Sequence, residues 1–122
     1  MPDTDMRDLM ARLRAFAQAR DWEQFHSPKN LSMALAGEAG ELLEHFQWLT
    51  QEQSLALRED KKQAVALEMA DIYIYLLRLC DVLDVDLNAA AREKIRINER
   101  RYPAERVRGD ARRVDEYEGR LD

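Results

Sequence analysis

Hydrophobic residues recur every three or four positions along most of the 122-residue chain, which is the spacing of amphipathic α-helices. The repeats are bounded by residues that start or stop helices, such as Ser27 followed by Pro28, and Pro103 near the end. We therefore predict four helices, with a short helical turn in residues 50–59. The predicted helices cover about residues 5–20, 28–49, 61–83 and 87–101.

The third predicted helix is apolar around most of its circumference from Val65 to Leu79. A helix of this kind is buried at the centre of a structure, and in so short a chain we expect the partner to be another subunit. The pattern predicts an all-α, four-helix bundle that completes its core by oligomerisation. Residues 1–103 are assigned to one domain and residues 104–122 to a charged C-terminal extension.

Composition narrows the class of protein. Only 4 Gly and 3 Pro disfavour a strand-rich fold, and a net charge of −5 disfavours a protein that grips a nucleic-acid backbone. The apolar runs are too short to span a membrane and the N-terminus lacks signal-peptide features, so a soluble, cytoplasmic protein is expected. The single Cys80 excludes an internal disulfide, and we interpret it as a buried, inert thiol.

Two pairs of acidic residues do not fit the helical pattern. The apolar stripe of the second helix predicts a hydrophobic residue at position 38, yet the chain has Glu38 there, with Glu41 one turn later. Glu68 and Asp71 repeat this spacing and are the only charged residues within 64–77. Because two carboxylates about 5 Å apart repel by roughly 3 kcal/mol at an effective dielectric of 20, something positive is expected between them.

A divalent cation would neutralise this charge, and carboxylate oxygens are the ligands that Mg²⁺ prefers. Neither acidic pair is part of a Glu-x-x-His motif, which favours Mg²⁺ or Mn²⁺ over a redox iron centre. The alternative is that each pair faces a basic residue on another helix in a buried ion network.

Further candidates lie on either side of the acidic pairs. Lys94 and Asn98, one turn apart, interrupt an apolar face of the fourth helix and suit a polyphosphate clamp, or else form an ordinary helix flank. Aromatic and imidazole side chains near the ends of the second helix suit a slot for a nucleotide base, or else belong to the core. These side chains are Trp22, Phe25, His26 and Trp48.

Taken together, these motifs resemble the all-α MazG-like nucleotide pyrophosphohydrolases, and most of all their dCTP pyrophosphatase branch. The resemblance covers about residues 20–103. It rests on four motifs, which are Trp22-x-x-Phe25-His26-x-Pro28, Glu38-Ala-Gly-Glu41, Glu68-Met-Ala-Asp71 and Lys94-x-x-x-Asn98-x-x-Arg101-Tyr102-Pro103.

The resemblance implies a Mg²⁺-dependent enzyme that hydrolyses a nucleoside triphosphate between its α and β phosphates. It also implies a homodimer or homotetramer with the site near a subunit interface. The implied metal ligands and catalytic residues are Glu38, Glu41, Glu68 and Asp71. The implied phosphate contacts are Lys94, Asn98, Arg101 and Tyr102, and the implied nucleoside contacts are His26, Trp22, Trp48 and Tyr75.

Two classes of function follow from this reasoning. The first is a housekeeping pyrophosphohydrolase for dCTP or a modified pyrimidine deoxynucleotide, in which a carboxylate such as Glu41 orients or deprotonates the attacking water. The second is a non-catalytic helical oligomer that binds nucleotide or a protein partner. Four carboxylates beside a Lys/Asn face favour the enzyme.

Overall fold

The computed structural model describes residues 4–112, and all regular structure within this range is helical. The four long helices are α1 (Thr4–Ala19), α2 (Pro28–Glu44), α4 (Glu59–Leu83) and α5 (Leu87–Arg101). A 3₁₀ helix (Glu23–Phe25) precedes α2, and the short helices are α3 (Gln51–Leu55) and α6 (Ala104–Val107). The prediction of an all-α fold is confirmed.

The chain divides into two compact units. In the first, residues 4–85, α4 packs against α2 and α1. The second, residues 86–112, consists of α5, α6 and the residues around them. The predicted 1–103 domain and its C-terminal extension stay a prediction, and residues 113–122 of that extension lie outside the described residues.

The helices begin where local chemistry favours a start. The Ser27 side chain accepts a hydrogen bond from the Asn30 backbone N–H at 3.1 Å, with Pro28 in the first turn of α2. Thr50 and Gln53 form a reciprocal capping box at the start of α3. Each start supplies an acceptor for backbone donors that have no partner inside the helix.

The helix α2 ends at Glu44, five residues before the predicted end. The backbone N–H groups of His45 and Phe46 donate to carbonyls three residues back, at 3.1 and 2.9 Å, so the chain tightens into turns before Thr50 starts α3. The prediction was wrong here because Phe46 and Leu49 stay half-buried in these turns, so the hydrophobic pattern continues without the helix.

The core of the first unit is small. Leu31 of α2 and Leu77 of α4 are each 1 % exposed, and Ala17 of α1 is 0 % exposed. Other apolar side chains of α4 stay open to solvent in the single chain, including Leu67 at 70 % exposure. The predicted burial of α4 on all sides is thus incomplete within residues 4–112, and oligomerisation stays a prediction. No described helix is both long and apolar enough to cross a membrane.

Candidate metal centre

The pairing of α2 with α4 brings three acidic side chains together. Glu38 and Glu41 lie one turn apart on α2, and Glu68 lies on α4. One carboxylate oxygen from each lies within 4.8 Å of the other two. Glu38 and Glu68 are half-buried and Glu41 is exposed, so the group is open to solvent on one side. We call these three residues the carboxylate cluster.

Asp71, the fourth predicted ligand, is exposed on α4 and is not part of this closest group. It lies one turn after Glu68, and its negative charge contributes to the raised pKa of Glu38. The structure therefore brings three of the predicted carboxylates together and places the fourth close enough to act electrostatically on Glu38.

The electrostatics of the carboxylate cluster are those of crowded negative charge. The pKa of Glu38 is raised from 4.5 to about 7, first by the closeness of the Glu68 carboxylate, then by burial, and then by the charge of Asp71. Within residues 4–112, Oε2 of Glu38 and Oε2 of Glu68 are buried without a hydrogen-bond partner. Native proteins rarely leave such atoms unpaired.

These residues fit a hard divalent cation. Two buried carboxylate oxygens without donors and a third, exposed carboxylate make a donor set of the kind that Mg²⁺ and Mn²⁺ take. The alternative of a buried ion network is not formed inside the first unit, where no Lys or Arg pairs with these three residues. The site is therefore a candidate metal centre.

A second group of charged side chains lies near the other end of α4. Arg78 is 4 % exposed, and its guanidinium donates to Nδ1 of His26 at 3.2 Å and to Oδ2 of Asp81 at 3.0 Å. Arg14 of α1 donates to both oxygens of Asp81, at 2.9 and 2.6 Å. We call these four residues, Arg14, His26, Arg78 and Asp81, the arginine–histidine network.

Sequence reasoning predicted His26 but missed the other three residues of the network. A signal was present, because Arg78 interrupts the apolar run from Leu76 to Cys80 and has Asp81 three residues later. The network keeps its carboxylate ionised, since the hydrogen bond from Arg14 is the first cause that lowers the pKa of Asp81. The pKa of His26 is also lowered, by burial and then by the charge of Arg78, against a weaker opposing effect of Glu23.

The predicted aromatic residues lie on different elements of the first unit. Trp22 packs edge-on against Phe16, with ring centroids 5.7 Å apart, and is 44 % exposed. Trp48 lies in the turns after α2 and is 86 % exposed. Tyr75 is half-buried on α4, one turn after Asp71. Their predicted contacts with a nucleoside stay a prediction.

The predicted phosphate contacts belong to the second unit. Lys94, Asn98 and Arg101 are exposed on α5, and Tyr102 is half-buried directly after it. The backbone N–H of Tyr102 donates to the carbonyl of Asn98 at 2.8 Å and ends the helix. Their approach to the carboxylate cluster stays a prediction.

One Glu-x-x-His sequence does occur in the chain, at Glu23 and His26. Glu23 begins the 3₁₀ helix, and Nδ1 of His26 is already bound to Arg78, so the pair does not form a metal-binding motif on one α-helix. Among the described residues, the group whose ligand atoms converge is the carboxylate cluster.

The fold is all-α, and carboxylates on two packed helices face one another. These two features place the chain in the class of helical proteins with a candidate metal centre. The sequence pattern of the MazG-like family matches residues 34–116. Over 117 residues the chain is 42 % identical to dCTP pyrophosphatase 1 of Homo sapiens, a match that covers 94 % of this chain and 69 % of that protein. The corresponding protein of Bos taurus is 46 % identical over 109 residues, which cover 88 % of this chain and 63 % of that protein.

A solved structure is also similar. A pyrophosphatase from Archaeoglobus fulgidus shares 39 % identity with this chain at a TM-score of 0.78, and the match covers 84 % of this chain and 96 % of that one. The chain spans about two thirds of the length of the dCTP pyrophosphatases that it matches. The chain belongs to the MazG-like family, and the resemblance stated from its motifs is confirmed.

Proposed function

We propose that the chain is a Mg²⁺-dependent pyrophosphohydrolase that cleaves dCTP or a modified pyrimidine deoxynucleotide to the monophosphate and pyrophosphate. The observation that supports this most is the carboxylate cluster, whose buried, unpartnered oxygens lie in a chain of the MazG-like family. The proposal includes a cytoplasmic location, where the nucleotide pool is found.

The enzyme class is the firmer part of this assignment. Relatives that cover most of the chain are dCTP pyrophosphatases, and the similar solved structure is a pyrophosphatase. The sequence-based prediction of a nucleoside triphosphate pyrophosphatase is therefore confirmed, and the non-catalytic binding module is no longer favoured. The identity of the metal ion, the phosphate bond that is cleaved and the preferred nucleotide base are part of the proposal.

The carboxylate cluster and Asp71 would hold the metal, which when bound supplies positive charge that neutralises the triphosphate and lowers the pKa of a bound water. Within the carboxylate cluster, Glu41 is the exposed residue, whereas Glu38 and Glu68 are half-buried. We assign Glu41 to orient the attacking water and to take its proton. The water oxygen forms a bond to the α-phosphorus while the bond to the bridging oxygen breaks and pyrophosphate leaves.

The remaining predicted residues bind the substrate in this proposal. Two cationic side chains, Lys94 and Arg101, would contact phosphates together with Asn98 and Tyr102. His26 and the aromatic rings would contact the nucleoside. These rings are Trp22, Trp48 and Tyr75.

The test is a panel of canonical and modified nucleoside triphosphates with Mg²⁺ or Mn²⁺, in water enriched in ¹⁸O. Attack at the α-phosphorus gives monophosphate that contains ¹⁸O and pyrophosphate that does not. Label in pyrophosphate would place attack at the β-phosphorus, and release of inorganic phosphate would mean that a different bond is cleaved. Absence of turnover by folded, metal-loaded protein would overturn the proposed function.

We also propose that the chain works as a homodimer or homotetramer. The support is the apolar surface that α4 leaves open, which includes Leu67 and Met69 at 70 % and 56 % exposure. Light scattering coupled to size exclusion should give two or four times the 14.3 kDa of the chain. A monomer at concentrations where the enzyme is active would contradict this part.

A further inference from the structure

The arginine–histidine network contains a charge that needs its partners. Arg78 is 4 % exposed, and a buried guanidinium is costly unless its N–H groups are paired. One partner, Asp81, is already bound through both oxygens by Arg14. The other partner is a ring nitrogen of His26, which accepts a hydrogen bond from Nε of Arg78 at 3.2 Å.

This contact sets the protonation state of His26. Arginine has only donors, so the ring nitrogen that accepts from it carries no proton. The remaining proton of the neutral ring must then be on Nε2. The groups that act on this ring are Arg78 from α4, which disfavours a second proton, and Glu23 from the 3₁₀ helix, which acts weakly in the opposite direction.

The backbone around His26 is also held in place. Its N–H donates to the Glu23 carbonyl at 3.1 Å, and the Asn30 side chain donates to the Phe25 carbonyl at 3.1 Å. The next residue, Ser27, caps α2. The ring therefore extends from a segment that is fixed on both sides, and Arg78 fixes the ring itself.

The network lies on the same helix as part of the carboxylate cluster. Arg78 follows Glu68, the α4 residue of the carboxylate cluster, by ten residues, or about 15 Å along the axis; it follows Asp71 by seven residues, which is two turns, and so lies on nearly the same face of α4 as Asp71. In the proposed function, the phosphates of the nucleotide lie at the carboxylates and its nucleoside extends toward His26.

We propose that Arg78 is a positioning residue, which holds His26 neutral with its proton on Nε2 and so presents one hydrogen-bond donor to the nucleoside of the substrate. This inference rests on the proposed function, because it assumes a nucleotide at the site. It adds a residue that touches no substrate and acts only through His26.

The first test needs no variant and no substrate. In ¹⁵N-labelled wild-type protein at neutral pH, the proton-bearing nitrogen of His26 should couple to both ring C–H protons, which identifies it as Nε2. The other nitrogen should have the chemical shift of an unprotonated acceptor. A His26 that is protonated on Nδ1, or doubly protonated, would overturn the inference. His45 provides an internal reference in the same spectrum.

The second test is a set of variants assayed with the best nucleotide of the panel. Arg78→Met removes the bonds to both His26 and Asp81, whereas Arg14→Met removes its two bonds to Asp81 and leaves His26 bound to Arg78. We expect Arg78→Met to raise KM about tenfold with little change in kcat, and Arg14→Met to change KM less than about twofold. Equal effects of the two variants would overturn the inference.

A double-mutant cycle separates positioning from a general structural effect. In His26→Gln the amide N–H₂ can supply a donor without any ring tautomer. On this background Arg78→Met should change KM less than about twofold, because the residue through which it acts is gone. The same tenfold effect on both backgrounds would overturn the inference. If the wild type turns over no nucleotide at all, that result overturns the proposed function itself, whereas the variants above test only the role of Arg78.

Discussion

Helix α4 contributes residues to two groups of charged side chains, and the charges in the two groups are compensated in opposite ways. In the carboxylate cluster like charges meet, and the buried oxygens of Glu38 and Glu68 find no donor within residues 4–112. In the arginine–histidine network, Asp81 is bound by two guanidinium groups and Arg78 by two acceptors. The difference teaches that burial of a charged side chain does not by itself indicate a functional site. A buried charged group that lacks partners does indicate one, because its partner then comes from outside the chain.

The largest effect should follow from breaking the carboxylate cluster. Glu38→Gln removes a ligand charge while it keeps the shape of the side chain, so we expect activity to fall about 1,000-fold. Circular dichroism should show an unchanged helical fold. Glu44→Gln is the matched control on the same helix, exposed and outside the cluster, and should change activity less than about twofold. Full activity in Glu38→Gln would remove this residue from the site.

Breaking the network should instead cost stability. Asp81→Asn leaves the buried Arg78 without its anionic partner, and we expect a loss of about 3 kcal/mol in the free energy of unfolding. Urea denaturation followed by circular dichroism measures this loss. Arg14→Met, which leaves Arg78 paired with Asp81, should be clearly less destabilising. An equal loss of stability in both variants would mean that the buried pair of Arg78 and Asp81 contributes no more to stability than the exposed pair of Arg14 and Asp81.

The two groups also predict opposite responses to pH in metal-free protein. The raised pKa of Glu38 contributes stability that is complete below its ordinary value of 4.5 and is lost as the pH rises through about 7. The lowered pKa of Asp81 contributes stability that is complete above its ordinary value of 3.8 and is lost as the pH falls through the folded pKa.

Thermal unfolding in the presence of a chelator checks this contrast. Between about pH 5 and about pH 8 the wild type should lose stability relative to Glu38→Gln. Added Mg²⁺ should reverse the loss, and its apparent affinity should fall about tenfold for each pH unit below 7, because the metal displaces one proton from the cluster. If the stabilities of the wild type and Glu38→Gln change in parallel with pH, the pKa of Glu38 is not raised in the folded protein.

The smallest effect concerns the helix start beside His26. Ser27→Ala removes the side-chain acceptor for the Asn30 N–H, and we expect a loss of about 1 kcal/mol in stability. The His26 tautomer should stay unchanged, because Arg78 and not the cap holds the ring. Calorimetry and the ¹⁵N spectrum measure the two outcomes. A change of tautomer in this variant would move the control of His26 from Arg78 to the backbone.

Much of the fold could be predicted because its information is local. Helical periodicity, the Ser27–Pro28 start and the Asp86 cap are readable within a few residues, and each is found in the structure. The end of α2 was missed because tight turns keep Phe46 and Leu49 half-buried, as a helix would. A pattern of burial does not distinguish the two backbones.

The part of the candidate site that could be predicted is the part where charged residues interrupt the hydrophobic pattern of a helix. Glu38 stood where a hydrophobic residue was expected, and the i, i+3 spacing of both pairs led to the carboxylate cluster. The network was not predicted because its contacts join residues far apart in the chain, such as Arg14 with Asp81 and His26 with Arg78. Only the packing of α1 and α4 makes these residues neighbours.

The two tryptophans give the protein an optical reporter near each end of α2. Trp48 is 86 % exposed and should emit at long wavelength with ready collisional quenching, whereas Trp22, at 44 % exposure and packed on Phe16, should emit further to the blue. Trp22→Phe and Trp48→Phe would each leave a single fluorophore. Nucleotide binding could then be followed separately at either end of the helix, without label and before any bond is broken.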